Sequence, residues 1–242
     1  MAIACAVADL DRLLQAAGIE ERAVNEKRYL KSDLEFYGVT VPARNRIVRS
    51  WLASLDDISH DDIVALVEEL WSIPVHERRG AGVYVLELRL DRLQPRDIVL
   101  VERLLREART WAIVDELAAS VAGPLLDRHP DADALLDRWA RDDDFWIRRA
   151  ALLAHLLALR AGGGDFDRFT RYADAMLEEK EFFIRKAIGW ILRDTARRRP
   201  DMVFRWILPR AARASGVTIR EVVKRLPPEQ AEAVTAAYRA AR

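Results

Sequence analysis

Trp111 and Asp115 lie four residues apart in the segment ARTWAIVDELAASVAG. On a helix, side chains at positions i and i+4 project side by side, so the indole and the carboxylate are neighbours. Asp115 points away from the apolar stripe of this helix, which holds Ile113, Val114, Leu117 and Val121. The face beside the pair holds small residues that leave room for a ligand: Ala118, Ala119 and Ala122. The alternative is an exposed acid beside a half-buried tryptophan, with no chemical role.

A second tryptophan, Trp190, falls on the polar side of a helical pattern in EFFIRKAIGWILRDTARRR. At about 100° per residue, the apolar stripe of this helix holds Ile184, Ala187, Ile188, Ile191, Leu192 and Thr195. Trp190 lies on the opposite face with three cations at helical spacing, Lys186, Arg193 and Arg197. This face is either a binding surface or a place where the indole packs against a neighbouring helix.

Two consecutive arginines, Arg148 and Arg149, open a helix in the segment FWIRRAALL. The apolar residues of this segment run nearly all round, as expected for a helix that is covered on two sides. Either arginine suits a structural ion pair. A guanidinium on the inner face of a helical array equally suits two hydrogen bonds to phosphate oxygens.

Charge is balanced over the whole chain but not along it. The 242 residues include 39 basic and 39 acidic side chains, so net charge indicates neither a nucleic acid nor a membrane partner. From Arg185 to Arg225, however, twelve cations face three anions, Asp194, Asp201 and Glu221. This basic excess favours a polyanion as the partner of the C-terminal part.

A single cysteine, Cys5, excludes an internal disulfide and a cysteine-cluster metal site. Four scattered histidines do not indicate a metal site either, and we expect no metal or cofactor. The first residues, MAIACAVADLDRLLQ, lack the features of a signal peptide, and no segment is long and apolar enough to span a bilayer. These observations predict a cytoplasmic protein without a membrane partner.

Nearly every segment shows helical periodicity, and none alternates as a strand would. Helix breakers at short intervals divide the chain into about a dozen short helices. Two of these helices are related: DFWIRRAALLAHLLALR, from Asp144, aligns with EFFIRKAIGWILRDTAR, from Glu181, at an offset of 37 residues. TWAIVDELAA is a weaker third copy. A period of this length predicts an all-α, HEAT-like or armadillo-like helical solenoid, right-handed, with a concave inner face.

Several stretches together resemble the AlkD-like DNA alkylation repair family, whose members are HEAT-like-repeat DNA glycosylases. They are KRYLKSDLEFYGVTVPARNR, EELWSIP, TWAIVDELAASVAG, DDDFWIRRAALL and EFFIRKAIGWILRDTARRRPDMVFRW. Because these stretches run over most of the chain, the resemblance implies one glycosylase domain spanning residues 1–242 with a concave DNA-binding face.

The resemblance also implies roles for individual residues. The catalytic aspartate falls on Asp115, and the two tryptophans that flank the sugar fall on Trp111 and Trp190. The active-site arginine falls on Arg149, and Tyr29 matches a tyrosine that lines the same cleft. Two positions depart from the family pattern: Val41 stands where threonine is usual, and Ala112 replaces a bulkier or polar residue. Both are wall positions, which determine the adducts that fit.

The implied substrate is duplex DNA that contains a purine alkylated at N3 or N7. Such a purine is cationic and leaves without protonation, so a carboxylate and two indole faces remain to stabilise a cationic sugar. The family is thought to act without base flipping. In this interpretation Arg148, Lys186, Arg193 and Arg197 contact phosphates, and the protein acts as a monomer in base excision repair.

Three alternatives stay open. The first is a self-resistance glycosylase that removes the bulky adducts of a natural-product alkylator. The second is a non-catalytic relative that binds bent or branched DNA, although Asp115 argues against it. The third is a protein-binding scaffold, for which the basic C-terminal segment and the Trp190 face are unsuited.

Overall fold

The computed structural model describes residues 2–55, 57–129 and 131–241. Within these ranges the chain is helical and contains no strand, apart from one isolated bridge between Glu35 and Val75. The predicted all-α fold is therefore confirmed. The helices group into two compact units, residues 1–117 and 118–242.

Unit 1 consists of seven α-helices within its described residues. Helix α4 packs on α1 and α5, and α7 packs on α5 and α6. Its core is built mainly from aliphatic side chains, because each helix buries one apolar stripe. The helices are α1 (Ile3–Ala16), α2 (Glu20–Leu30), α3 (Val41–Ala53), α4 (His60–Ser72), α5 (His76–Leu88), α6 (Ile98–Ala108) and α7 (Trp111–Leu117).

Unit 2 opens with one π-helical turn, Ala118–Ala122. Helix α13 lies at its centre, where it packs on α10, α11, α14 and α15. The helices are α8 (Gly123–Leu126), α9 (Ala132–Trp139), α10 (Phe145–Leu153), α11 (Leu156–Arg160), α12 (Phe166–Ala175), α13 (Phe182–Ala196), α14 (Pro200–Ile207), α15 (Gly216–Val222) and α16 (Pro228–Ala240).

The repeat predicted at an offset of 37 residues is present in the structure. Helix α10 begins after Asp144 and α13 begins after Glu181, and each acid caps its helix by accepting a backbone N–H two residues on. The guanidinium of Arg148 donates to the carbonyl of Asp142, at 2.6 Å, and the equivalent Arg185 donates to the carbonyl of Glu179, also at 2.6 Å. Equivalent residues therefore make equivalent local contacts.

The alanine face predicted beside Trp111 and Asp115 is not open. Ala118, Ala119 and Ala122 are buried, with exposed fractions of 0, 6 and 0 %. The reason is the π-helical turn that contains them, because its wider turn shifts these residues out of the register that a continuous α-helix predicts. The apolar stripe of Ile113, Val114, Leu117 and Val121 is buried as predicted.

A buried ion pair fixes α7 to α3. Nη2 of Arg44 lies 2.6 Å from Oε1 of Glu116, and the arginine side chain is only 3 % exposed. Gly80 on α5 makes room for this guanidinium, because a Cβ at that position would overlap Nη1 of Arg44. Burial raises the pKa of the Glu116 carboxyl, and the charge and hydrogen bond of Arg44 oppose that rise.

The loop between α2 and α3 is held by a second buried carboxylate, that of Glu77. It accepts the backbone N–H groups of Tyr37 (3.0 Å), Gly38 (2.7 Å) and Val39 (3.0 Å). Gly38 has a φ of +81°, a conformation that glycine adopts without strain. The end of α2 and the start of α3 are thereby tied to α5.

Replacing Arg44 with methionine should destabilise the protein strongly, by about 3 to 5 kcal/mol, because it leaves the Glu116 carboxylate buried without its cation. Chemical denaturation at neutral pH measures this loss. The matched control is Arg92→Met, which removes an arginine that is 52 % exposed and pairs with Asp57. The control should cost at most about 1 kcal/mol. Equal losses from the two variants would show that the buried pair does not hold α7.

His155 is a buried histidine of unit 2 that stays neutral. Its Nδ1 lies 3.0 Å from the carbonyl oxygen of Ala151, and Nε of Arg168 donates to its Nε2 at 3.2 Å. Burial, reinforced by the charge of Arg168, lowers its pKa from 6.5 to about 4. Protonation would place a new N–H against the Arg168 guanidinium, so the folded state disfavours the charged form.

Stability should therefore fall as the pH is lowered from 6.5 to 4. In this window the unfolded chain binds a proton at position 155 that the folded chain does not, and the loss is on the order of 3 kcal/mol. His155→Gln should be less stable at pH 7.5 but should lose less stability on acidification. Denaturation at a series of pH values measures this, with His129→Gln as the control. The same pH dependence in His155→Gln and the parent protein would contradict the assignment.

Candidate functional site

One group of candidate residues lies in unit 1, on the first turns of α7. Trp111 begins this helix and Asp115 follows one turn later, and both side chains are partly exposed while Ile113, Val114 and Leu117 face the core. The observed helix therefore places the Trp111 indole and the Asp115 carboxylate one turn apart, as the sequence pattern predicts.

Tyr29, near the end of α2, is brought to the same place. Its ring meets the Trp111 indole edge to face, with ring centroids 5.9 Å apart and planes at 89°. The tyrosine is 72 % exposed, so a large aromatic surface faces solvent beside the helix that carries Asp115. Edge-to-face contact fixes the orientation of both rings.

Another group of candidate residues lies in unit 2, on α13. All six residues of the predicted apolar stripe are buried, which leaves Trp190 partly exposed on the other face. Its indole N–H donates to Oδ2 of Asp194, one turn later, at 3.2 Å. Gly189 allows α15 to pack closely against α13, since a Cβ at position 189 would lie 2.8 Å from Cβ of Glu221 and 3.1 Å from Cα of Thr218. The backbone that approaches Gly189 therefore belongs to the protein itself.

The three cations predicted around Trp190 are held by two buried carboxylates. Glu221 accepts Nζ of Lys186 at 2.5 Å and also pairs with Arg193 and with Lys224. Asp194 pairs with Arg160 at 2.6 Å and lies 3.8 Å from Nε of Arg197. Five cations thus share two carboxylates, and the cluster keeps a positive excess. We call this group the α13 cation cluster: Arg160, Lys186, Arg193, Arg197 and Lys224 around Asp194 and Glu221.

The carboxylate of Glu221 stays ionised. Burial alone would raise its pKa, but hydrogen bonds from Lys186 and Lys224, with the charges of Lys186 and Arg193, outweigh burial and lower the pKa to about 2. Sequence reasoning missed both carboxylates as site residues. Asp194 had a usable signal, because it lies four residues after Trp190, whereas Glu221 lies 35 residues from its partner Lys186 and shows no local signal.

Arg148 and Arg149 both have protein partners. The guanidinium of Arg148 meets the carboxylate of Glu179 with two hydrogen bonds, at 3.1 and 2.9 Å. Arg149 is 2 % exposed, donates to the carbonyl oxygen of Phe183 and lies 5.7 Å from the centre of that ring. A phosphate contact by either arginine would therefore require it to exchange a protein partner for the phosphate.

No three His, Cys, Asp or Glu side chains within residues 2–55, 57–129 and 131–241 are grouped so that they could hold a metal ion. In the same ranges, no helix has both the length and the apolar composition required to cross a membrane.

Comparisons with known proteins identify the family. The family described as DNA alkylation repair enzyme matches residues 10–226. A solved structure described as a predicted DNA alkylation repair enzyme from Enterococcus faecalis is similar, with a TM-score of 0.75 at 21% sequence identity, over 87% of this chain and 97% of that one. At this identity the likeness shows a shared fold. A comparison with curated proteins finds no match. Because the family match covers most of its length, the chain belongs to the DNA alkylation repair enzyme family.

Proposed function

We propose that this protein is a DNA glycosylase that hydrolyses the N-glycosidic bond of cationic N3- and N7-alkylated purines in duplex DNA, as a step of base excision repair. The observation that carries the proposal is the arrangement on α7: the same turns present the Asp115 carboxylate and a Trp111 indole that is oriented by Tyr29. A carboxylate beside aromatic faces stabilises a cation, and the sugar becomes cationic in this reaction.

The chemistry needs no acid to protonate the leaving base. As the bond between C1′ and the purine nitrogen breaks, its electron pair stays on the purine and cancels the positive charge of the alkylated ring. The sugar is left as an oxocarbenium ion, which water attacks at C1′. The proposed role of Asp115 is to stabilise that cation, to orient the water and to accept its proton, which then passes to solvent.

Trp190 and the α13 cation cluster have complementary roles in this proposal. The indole is the second aromatic contact of the sugar, fixed by its hydrogen bond to Asp194. Lys186, Arg193 and Arg197 contact phosphates of the DNA backbone. Arg149 is the active-site arginine, and Arg148 holds the segment before α10 and contacts phosphate after releasing Glu179. We further propose that the whole chain, residues 1–242, acts as one monomeric domain without flipping the base.

The substrate alternative concerns the size of the adduct. Val41 is 48 % exposed at the first position of α3, and Ala112 is a small, partly exposed neighbour of Trp111. The small side chain of Ala112, next to Trp111 in the sequence, favours room for an adduct larger than methyl, whereas Val41 has the size of a threonine and differs from it in polarity. Measuring base release from duplexes that carry 7-methylguanine, 3-methyladenine or a bulky N3-adenine adduct separates the two substrate classes, since the preferred lesion is released fastest.

The carboxylate of Asp115 should matter for bond cleavage and not for DNA affinity. Asp115→Asn keeps the size of the side chain but removes the charge that is needed as the sugar becomes cationic. Single-turnover release of 7-methylguanine should slow on the order of 10²-fold or more. Asp91→Asn, at an exposed acid elsewhere in unit 1, is the matched control and should leave the rate unchanged. Parent-like rates in a folded, DNA-bound Asp115→Asn protein would show that the catalytic assignment is wrong.

Binding to undamaged duplex DNA should weaken steeply with salt, because cations that contact phosphates release condensed counterions. Arg197→Gln should flatten the slope of log affinity against log salt by about one unit. Its stability should change little, since this arginine is 52 % exposed and its contact with Asp194 is long. Lys186→Gln and Arg193→Gln should flatten the slope equally but also lower stability, because Glu221 loses a partner.

The control for these measurements is Arg171→Gln, an arginine on α12 that is 58 % exposed and pairs with Asp137. Arg171→Gln should alter neither the slope of log affinity against log salt nor the stability of the protein. An affinity that does not depend on salt, or no affinity for DNA, would favour the protein-binding scaffold. Salt-dependent binding without release of any alkylated base would favour the non-catalytic DNA-binding relative.

A further inference from the structure

A surface pocket in unit 1 lies outside the residues assigned above. Its volume is about 500 Å³, and it is formed by the residues that follow α2, by the last turn of α6 with the residue after it, and by the first turn of α5. Four cations line it, Lys31, Arg79, Arg106 and Arg109, against two acids, Asp33 and Glu107. The carboxylate of Glu107 is engaged by Arg103, at 3.2 and 3.3 Å, and Arg106 is engaged by Glu102, at 2.8 Å. Lys31, Arg79 and Arg109 remain against Asp33, so the pocket has a positive excess.

Lys31 and Arg109 share an unusual backbone conformation. Their φ values are 48° and 47°, and among the described residues they alone combine a positive φ with a side chain beyond glycine. Each directly follows a helix, α2 or α6, where glycine is the usual left-handed residue because it has no Cβ. Both positions instead carry a cation, and both cations line the same pocket.

Favourable interaction with the helix dipoles does not account for these two cations. A positive charge near a helix C-terminus is stabilising, but the last turns of α2 and α6 already carry Lys27, Arg28 and Arg106 in ordinary helical conformation. Placing a further lysine and a further arginine at strained positions adds little to that interaction. The pocket that both residues line therefore accounts better for the presence of a cation at each of these two positions.

Arg79 is a half-buried cation without a carboxylate partner among the described residues. Its Nη1 donates to the carbonyl oxygen of Glu107 at 2.7 Å, and its guanidinium carbon lies 5.0 Å from the centre of the Trp71 ring. Its Nε is buried and has no hydrogen-bond acceptor in those ranges. The charge of the nearby Glu107 carboxylate acts on this guanidinium, but the buried Nε–H of Arg79 still has no acceptor among the described residues.

We propose that Lys31, Arg79 and Arg109 form a phosphate-binding pocket that holds a backbone phosphate of the DNA strand engaged by Tyr29 and Trp111. Lys31 lies two residues after Tyr29, and Arg109 lies two residues before Trp111, so the same two chain turns set the positions of the rings and of the cations. A phosphate supplies a negative charge to all three cations and an acceptor oxygen for the buried Nε–H of Arg79. The proposal rests on the proposed function and adds to it a phosphate contact made by unit 1.

Glycine substitutions test the pocket without disturbing the fold. Lys31→Gly and Arg109→Gly each remove a charge and place glycine where φ is positive, so the melting temperature should be unchanged or higher. Affinity for undamaged duplex DNA should fall on the order of tenfold for each variant. The slope of log affinity against log salt should flatten by about one unit per variant and by about two in the double variant. The control is Arg96→Gln, an exposed arginine of unit 1 outside the pocket, which should bind as the parent does.

The outcomes separate this inference from the proposed function. Parent-like affinity and salt slope in the double variant overturn the pocket, while base release by the parent protein leaves the glycosylase proposal standing. Weaker DNA binding together with a lower melting temperature also overturns the pocket, because it indicates a structural effect. An equal loss of DNA affinity in Arg96→Gln overturns it as well, because it indicates a non-specific effect of charge. DNA binding that depends on Lys31 and Arg109 in a protein that releases no base supports the pocket and overturns the glycosylase. A parent protein that does not bind DNA overturns both.

Discussion

The buried pair between Arg44 and Glu116 determines where the candidate catalytic helix lies. Two charges in a low-dielectric interior are tolerated only when each satisfies the other, so α7 has one position relative to α3 at which Glu116 is not isolated. Gly80 makes that position accessible, because any side chain there would overlap the guanidinium. Glu116 and Asp115 are consecutive, and the rotation of about 100° between them on a helix makes the two carboxylates leave the helix in different directions, with Glu116 meeting Arg44. Trp111, one turn before Asp115, is placed by the same constraint.

Local periodicity predicted the parts of the structure that depend on local geometry. The buried stripe of α13, the one of α7 and the repeat that joins α10 to α13 follow from spacings of three, four and 37 residues that can be counted in the sequence. The open alanine face beside Asp115 was wrong because a π-helical turn begins at Ala118. Such a turn adds about one residue to the helical period, and no residue type in AASVA marks it. Burial of these alanines follows from that geometry and not from their composition.

The basic excess of the C-terminal segment illustrates a second limit of sequence reasoning. Counting charges within a window treats distant acids as absent, but in a repeat fold the partner of a cation lies about one period away. Arg210 pairs with Asp174 and Arg213 pairs with Glu178, at separations of 36 and 35 residues, and both acids precede the window from Arg185 to Arg225. Lys186 pairs with Glu221 at the same separation of 35 residues. Composition therefore overestimates the charge that is left for a polyanion, and only the three-dimensional pairing shows where an excess remains.

The α13 cation cluster shows what such pairing contributes to binding. An isolated surface cation is mobile and loses side-chain entropy when it contacts a phosphate, whereas Lys186 and Arg193 are already held by the ionised carboxylate of Glu221. Pre-ordering lowers the entropic cost of each contact, while the buried carboxylates reduce the total attraction to a polyanion. In the proposed function this balance keeps the cations oriented while it limits affinity for undamaged DNA. The hydrogen bond from the Trp190 indole to Asp194 has a related effect: the same buried carboxylate holds the ring, Arg160 and Arg197, so these groups keep one geometry relative to one another.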